Sequence, residues 1–300
     1  MRAKGVGYAI ISSATFGLIP LFSVTAMNGG QSPYSVLFYR FLISVILFRL
    51  VLFIRKTSLK ISLRQLIEVV ILGGLCYGGT ALFLILSYKY IPTGISTTIG
   101  FLYPVMVALI MLVIFKQRPN IGIVLAIILS LAGVLLMTWS HDASFNAKGV
   151  IFATVTVVTY SIYIVGLNKS SLTRLPGSVV TFYVLSVSTI FFFAAAMLSC
   201  GIPTIQNINV GINLVCLAIF ATIISNLTLV LAVNEIGSTA ASVLGSAEPL
   251  TALLIGVFWF DEQLNMLQII GVALVICSVI LVVIRTDQIV LLLKKWRGKF

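Results

Sequence analysis

Hydrophobic residues in this 300-residue chain run on for about twenty positions at a time, separated by short polar breaks. A run of that length, at about 1.5 Å rise per residue, matches a helix crossing the ~30 Å hydrocarbon core of a bilayer. The runs fall at residues 5–27, 33–54, 66–88, 93–115, 120–139, 148–167, 176–198, 211–233, 238–260 and 264–284. The pattern predicts an all-α integral membrane protein of ten transmembrane helices. The shortest breaks, Lys89-Tyr90-Ile91-Pro92 and Asn234-Glu235-Ile236-Gly237, predict two tight hairpins.

Polar side chains inside the runs are few, and Glu248 stands out by depth. It lies roughly 16 Å in from Gly237, near mid-membrane. An ionisable group there is costly against lipid, so it is expected to face protein or water. Pro249 follows it. Proline has no N–H and its ring collides with the carbonyl four residues back, which predicts a kink and a freed carbonyl at Gly245. The same unit occurs 145 residues earlier, where Gly100, Tyr103 and Pro104 fall on Gly245, Glu248 and Pro249. In that register Ile91, Leu109, Ile110 and Phe115 fall on Ile236, Leu254, Ile255 and Phe260. The chain thus reads as an internal duplication, the pattern of transporters built from repeats. Residues 5–139 and 148–284 are expected to form two five-helix repeats, with a basic tail over 285–300.

Composition agrees. Apolar residues make up 60% and charged residues 9%, against about 25% charged in soluble domains, and the mean hydropathy is +1.18. The net charge of +12 does not imply a nucleic-acid partner. Its basic residues collect in alternate connections, the distribution that orients membrane proteins. With the N-terminus in the cytoplasm, sixteen Lys and Arg fall inside and two, Lys89 and Lys148, outside, with Arg40 inside a span. Both termini are then cytoplasmic. An odd number of helices per repeat makes the two repeats insert in opposite directions. The loop charges fit: Lys116-Gln117-Arg118, inside, has Asp261-Glu262-Gln263, outside, as its counterpart. Residues 289–293 followed by Lys294, Lys295, Trp296 and Arg297 suit either an interfacial helix on anionic lipid or a plain tail. Cys76, Cys200, Cys216 and Cys277 show no metal or redox spacing, and the one histidine, His141, lies in a loop. No metal or cofactor is expected.

Ten spans, inverted repeats, Arg40-Phe41 early in the second span, Glu248-Pro249 in the ninth, Asp261-Glu262 just after it and Gly271 in the tenth make a combination. It resembles the drug/metabolite transporter superfamily, most closely its ten-helix EamA-type branch. The resemblance covers essentially the whole chain, at about 8–139 and 150–283. It implies a multi-pass protein of the cell membrane, bacterial inner membrane or plasma membrane, that exports or exchanges amino acids, other small metabolites or drugs. Phe16-Gly17 stands where the branch often has Trp-Gly, and Gln117 where an acid is common, so the solute stays open.

The candidate substrate-binding residues lie at similar depth on several spans. On the ninth they are Glu248, on a small-residue face with Ala241, Gly245, Thr251 and Ala252, and also Ser246. On the fourth, Tyr103 follows Ser96 and Gly100; on the sixth, Thr156, Thr159, Tyr160 and Tyr163 form a stripe. Tyr77 and Thr80 on the third span, Thr222 and Asn226 on the eighth, and Ser12, Thr15 and Phe16 on the first complete the ring. Each also has a plain packing reading, because hydroxyls and small residues hold membrane helices together. Pro104 and Pro249 are expected to act as helix kinks. Arg40 either contacts solute, snorkels outward, or pairs with the Asp261-Glu262 loop.

The leading function is a secondary transporter of a small organic solute, working by alternating access between the repeats. No Walker-type loop is present, so ATP is not the direct energy source. Glu248 is the one mid-membrane candidate for proton coupling, with facilitated exchange as the alternative. Aromatic and hydroxyl groups around one carboxyl suit a solute such as an amino acid. A membrane enzyme acting on lipid would need a polar cluster near an interface, and a channel or scaffold would not need mid-span kinks. The expected partners are a small-molecule solute and the lipid bilayer, in a monomer or homodimer.

Overall fold

Backbone N–H and C=O groups have no water to bond inside a bilayer, so an apolar run must satisfy them within itself as a helix. The structure, a computed structural model, describes residues 2–91, 93–117, 119–137, 146–199, 204–205, 207–245, 248–251, 254 and 266–297. It is helical throughout, with no strand among the described residues. The helices are α1 (Ala3–Asn28), α2 (Pro33–Ile54), α3 (Leu63–Ser87), α4 (Thr93–Gly100), α5 (Tyr103–Val113) and α6 (Ile121–Met137). They continue with α7 (Ala147–Lys169), α8 (Gly177–Ser199), α9 (Ile208–Ile236), α10 (Ser238–Leu244) and α11 (Met266–Arg297). Among them α1, α2, α3, α7, α8 and α9 are each long and apolar enough to cross a membrane.

The local signals explain the starts and turns. Ser32 caps α2 by accepting from Ser35 N, with Pro33 at its first turn. Ser62 and Gln65 form a reciprocal capping box on α3. Both predicted hairpins are present. Ile91 N donates to Ser87 O at 3.0 Å, and the Ser87 and Ser96 hydroxyls bond across the first turn. Gly237, at φ +82°, turns the second, a conformation that glycine adopts without Cβ strain.

The fourth span, expected to kink at Pro104, breaks into two helices just before it. The chain turns at Phe101-Leu102, and Pro104 sits in the first turn of a new helix, α5, where its missing N–H costs nothing. In α1 a break at Gly17-Leu18 precedes Pro20; the hydropathy pattern conceals it because every residue nearby is apolar or small. Two spans also contain π-helical segments, Val70–Gly78 in α3 and Ile219–Ile224 in α9. The basic residues Lys294, Lys295 and Arg297 do not start a separate interfacial helix: α11 continues unbroken through them.

Helix pairing repeats itself. α1 lies along the second half of α9, and α7 along the second half of α3. Gly5 packs on Ile236 and Gly29 on Val210, so α1 and α9 run antiparallel. Gly149 packs on Ile91 and Gly166 on Leu72, so α7 and α3 do the same. Ser12 Oγ donates to Ser225 O at 2.8 Å in the first pair; in the second, the Thr80 and Thr159 hydroxyls are 2.8 Å apart. α2 packs on α8, α6 on α11, and α5 on α10. Ser44 Oγ donates to Ala218 O and Ser188 Oγ to Gly73 O, at 3.1 and 2.9 Å. Both acceptors lie at or beside a π segment, where the altered ladder exposes carbonyls to a neighbour.

Candidate functional site

The breaks in α1 and between α4 and α5 come together with the helical turn that carries Glu248. Between them lies a cavity lined by Phe16, Thr80, Leu84, Thr97, Gly100, Tyr103, Thr156, Tyr160 and Glu248. It is narrow, with room for about one water molecule. Its walls are aromatic. Phe16 stacks on Tyr160 at 5.7 Å between centroids, and Tyr103 meets Tyr160 edge-on at 4.9 Å. Ser161 Oγ donates to Tyr103 O at 3.2 Å and ties the start of α5 to α7.

Glu248 is half-buried and Pro249 buried. The carbonyl of Gly245 is not loose, contrary to expectation: Glu248 N donates to it at 2.9 Å. The proline removes the bond from residue 249, and a tighter turn from residue 248 replaces it. Gly17 is what lets α1 approach. A Cβ there would stand 2.6 Å from Glu248 O and 3.1 Å from Thr251 Cβ. Gly17 has no chemistry of its own, so nothing in its side chain marked it as a site residue.

A second polar group adjoins the cavity without lining it. Tyr163 is fully buried, its ring 6.3 Å from Tyr160 and 4.9 Å from Tyr77. Asn226 Nδ2 donates to Tyr163 Oη at 2.8 Å. Arg40 Nε donates to Thr222 Oγ1 at 2.6 Å, and its Nη2 to Ala221 O at 3.1 Å. Arg40 therefore does not snorkel; it turns into the protein and holds the π segment of α9. The loop Asp261-Glu262, its other expected partner, lies outside the described residues, as does Ser246.

The residues singled out from the sequence thus divide in two. Glu248, Tyr103 and Tyr160 share the cavity with Phe16, Gly100, Thr80 and Thr156. Tyr77, Tyr163, Asn226, Thr222 and Arg40 form the adjoining group, linked to the first by the tyrosine rings. Leu84 and Thr97 also line the cavity; helical spacing from Thr80 and Gly100 points to each. Thr159, part of the predicted stripe, bonds Thr80 and joins α7 to α3. No group of three metal-ligating side chains occurs among the described residues.

Comparisons with known proteins agree with this architecture. The sequence pattern of the EamA-like transporter family matches residues 3–139 and again 147–284. A transporter of Archaeoglobus fulgidus, described as uncharacterized, is 26% identical over 84% of this chain and 89% of its own length. A second such transporter, from Synechocystis, is 27% identical over 66% of this chain and 61% of its own. A crystal structure at 17% identity superposes with a TM-score of 0.81, covering 96% of this chain and 99% of that one, and so shares the fold. The chain is a multi-pass membrane protein and belongs to the EamA-like transporter family.

Proposed function

We propose that this protein is a secondary transporter, an exporter or exchanger, of a small organic metabolite such as an amino acid. In this reading residues 5–139 and 148–284 are inverted five-helix repeats, ten spans in all, that alternate access to the Glu248 cavity. Both termini, with the basic tail over 285–300, face the cytoplasm. The observation that carries the reading is the place of Glu248. A mid-span carboxyl half-faces a cavity walled by Phe16, Tyr103 and Tyr160, where α1, α3, α4, α5 and α7 meet. The antiparallel pairs α1–α9 and α3–α7, with Gly5 on Ile236 and Gly149 on Ile91, support the inverted arrangement. Aromatic faces take the apolar part of a solute, and the carboxyl takes an amine or hydroxyl. With room for about one water, the cavity admits such a solute only when the surrounding helices part.

Proteoliposomes preloaded with amino acids test this directly. Counterflow of labelled amino acid that saturates with concentration, and falls in Glu248→Gln, is the expected result. Flux that rises linearly without saturation points instead to a channel, and no flux of any small metabolite removes the reading.

A further inference from the structure

Arg40 is 3% exposed. A guanidinium stays charged throughout the physiological range, and a buried charge is costly unless an opposite charge or full hydrogen bonding compensates it. Among the described residues the one ion pair is Arg64–Glu68, and Arg40 meets no carboxylate. Its two hydrogen bonds, to Thr222 Oγ1 and Ala221 O, go to neutral acceptors. Two of its five N–H donors are thereby used.

The surroundings are equally unfinished. The Tyr77 hydroxyl adjoins Arg40 and Asn226 and is buried without a well-formed hydrogen bond. Asn226 Oδ1 and the Tyr88 hydroxyl are also buried and unpartnered. Tyr88 is within electrostatic range of both Glu248 and Arg40. Buried polar atoms are satisfied in more than about nine cases in ten. Three such atoms close to a buried cation without an ion pair suit a group that supplies acceptors, one donor and a negative charge.

We propose that Arg40 and the Tyr77 hydroxyl form a receptor for the carboxylate of the transported solute, which makes the protein a carrier of organic acids and amino acids. The inference rests on the transporter reading, with the cavity at Glu248 taking the rest of the molecule. A carboxylate matches the guanidinium fork with two parallel acceptors. One buried cation balances a monoanion, whereas a dianionic phosphate would leave surplus charge in the membrane interior. Asn226 Oδ1, buried without a partner near Tyr77, is an acceptor for an N–H or O–H donor of the solute.

The test uses leucine, phenylalanine, threonine and glutamate, each as the free acid, the amide and the decarboxylated amine, with purified full-length protein. A free acid that binds raises the melting temperature, and its amide and amine do not. Arg40→Gln abolishes that rise and Arg40→Lys keeps part of it. Because Arg40→Gln can also cost folding, Thr222→Asp supplies the second arm. It sets a resident carboxylate where Arg40 Nε now bonds Thr222 at 2.6 Å. The ligand-free melting temperature then rises, and the acid-dependent shift disappears. Amides or amines that stabilise as well as their acids, an acid shift that survives Thr222→Asp, or no shift with any acid overturns the receptor. Saturable, Glu248-dependent flux of amines that ignores Arg40 would sink the receptor and leave the transporter standing. An acid-specific shift lost in Thr222→Asp, without flux, would do the reverse.

Discussion

The hydroxyl of Tyr103 fills the place where Gly245 would carry a Cβ. The two residues belong to the duplicated units: Tyr103 is the counterpart of Glu248, and Gly245 the counterpart of Gly100. At Gly100 the same notch is open, with nothing within 4 Å of a Cβ, and it lines the cavity with Glu248. One unit therefore closes on the other through a tyrosine, while its mate leaves space beside a carboxyl.

Gly245→Ala removes that closure. The added methyl meets Tyr103 Oη and, at 2.8 Å, Ser242 O, and overpacking of this kind costs about 1–3 kcal/mol. We expect a lower melting temperature and at least a tenfold loss of flux as Tyr103 is pushed into the cavity. Tyr103→Phe in the same protein removes the clashing oxygen and recovers part of the loss. A variant with unchanged stability and flux would show that the Tyr103–Gly245 contact is incidental.

Glu248→Gln keeps shape and hydrogen-bonding capacity but removes the titratable proton. Solute flux across a pH series, at matched protein levels, is expected to fall or to lose its pH dependence, with membrane insertion intact. Superimposable pH–flux curves would return Glu248 to a packing role. A change confined to solute affinity would mean binding without proton coupling.

Gly17→Ala and Gly7→Ala, on the same helix, should move in opposite directions. A Cβ at Gly17 meets backbone of the Glu248 turn at 2.6 Å, and at Gly7 it meets nothing within 4 Å. The change at Gly7 gains up to about 1 kcal/mol of helix propensity; that at Gly17 costs more than it gains and displaces Glu248. Melting temperatures of the two variants, measured side by side, decide it, and equal values would dissolve the packing argument.

Orientation is testable without a substrate. In a background lacking the native cysteines, single cysteines within 142–147 and 199–210 are expected to react with an impermeant thiol reagent from outside. A cysteine beside Lys116 is expected to stay protected. The reverse labelling would invert the topology and with it the expected direction of export.

Long apolar runs, two near-residueless hairpins, a duplicated Gly-x-x-x-Pro unit and a deep carboxyl were all legible in the residues alone. Each depends on local or one-dimensional physics: burial of apolar surface in lipid, the proline ring against the preceding turn, and depth counted in rises. The break before Pro20, the π segments in α3 and α9, and the tight turn that captures the Gly245 carbonyl were not. In these places several backbone arrangements differ little in local energy, and contact with another helix chooses among them, as Gly17 against Glu248 O and Ser188 on Gly73 O illustrate. The tertiary structure also separated the polar candidates into an aromatic cavity at Glu248 and a cluster at Arg40. Helical spacing reports which face a side chain shares with its own helix, whereas its partner across the interface is set by how the helices pair.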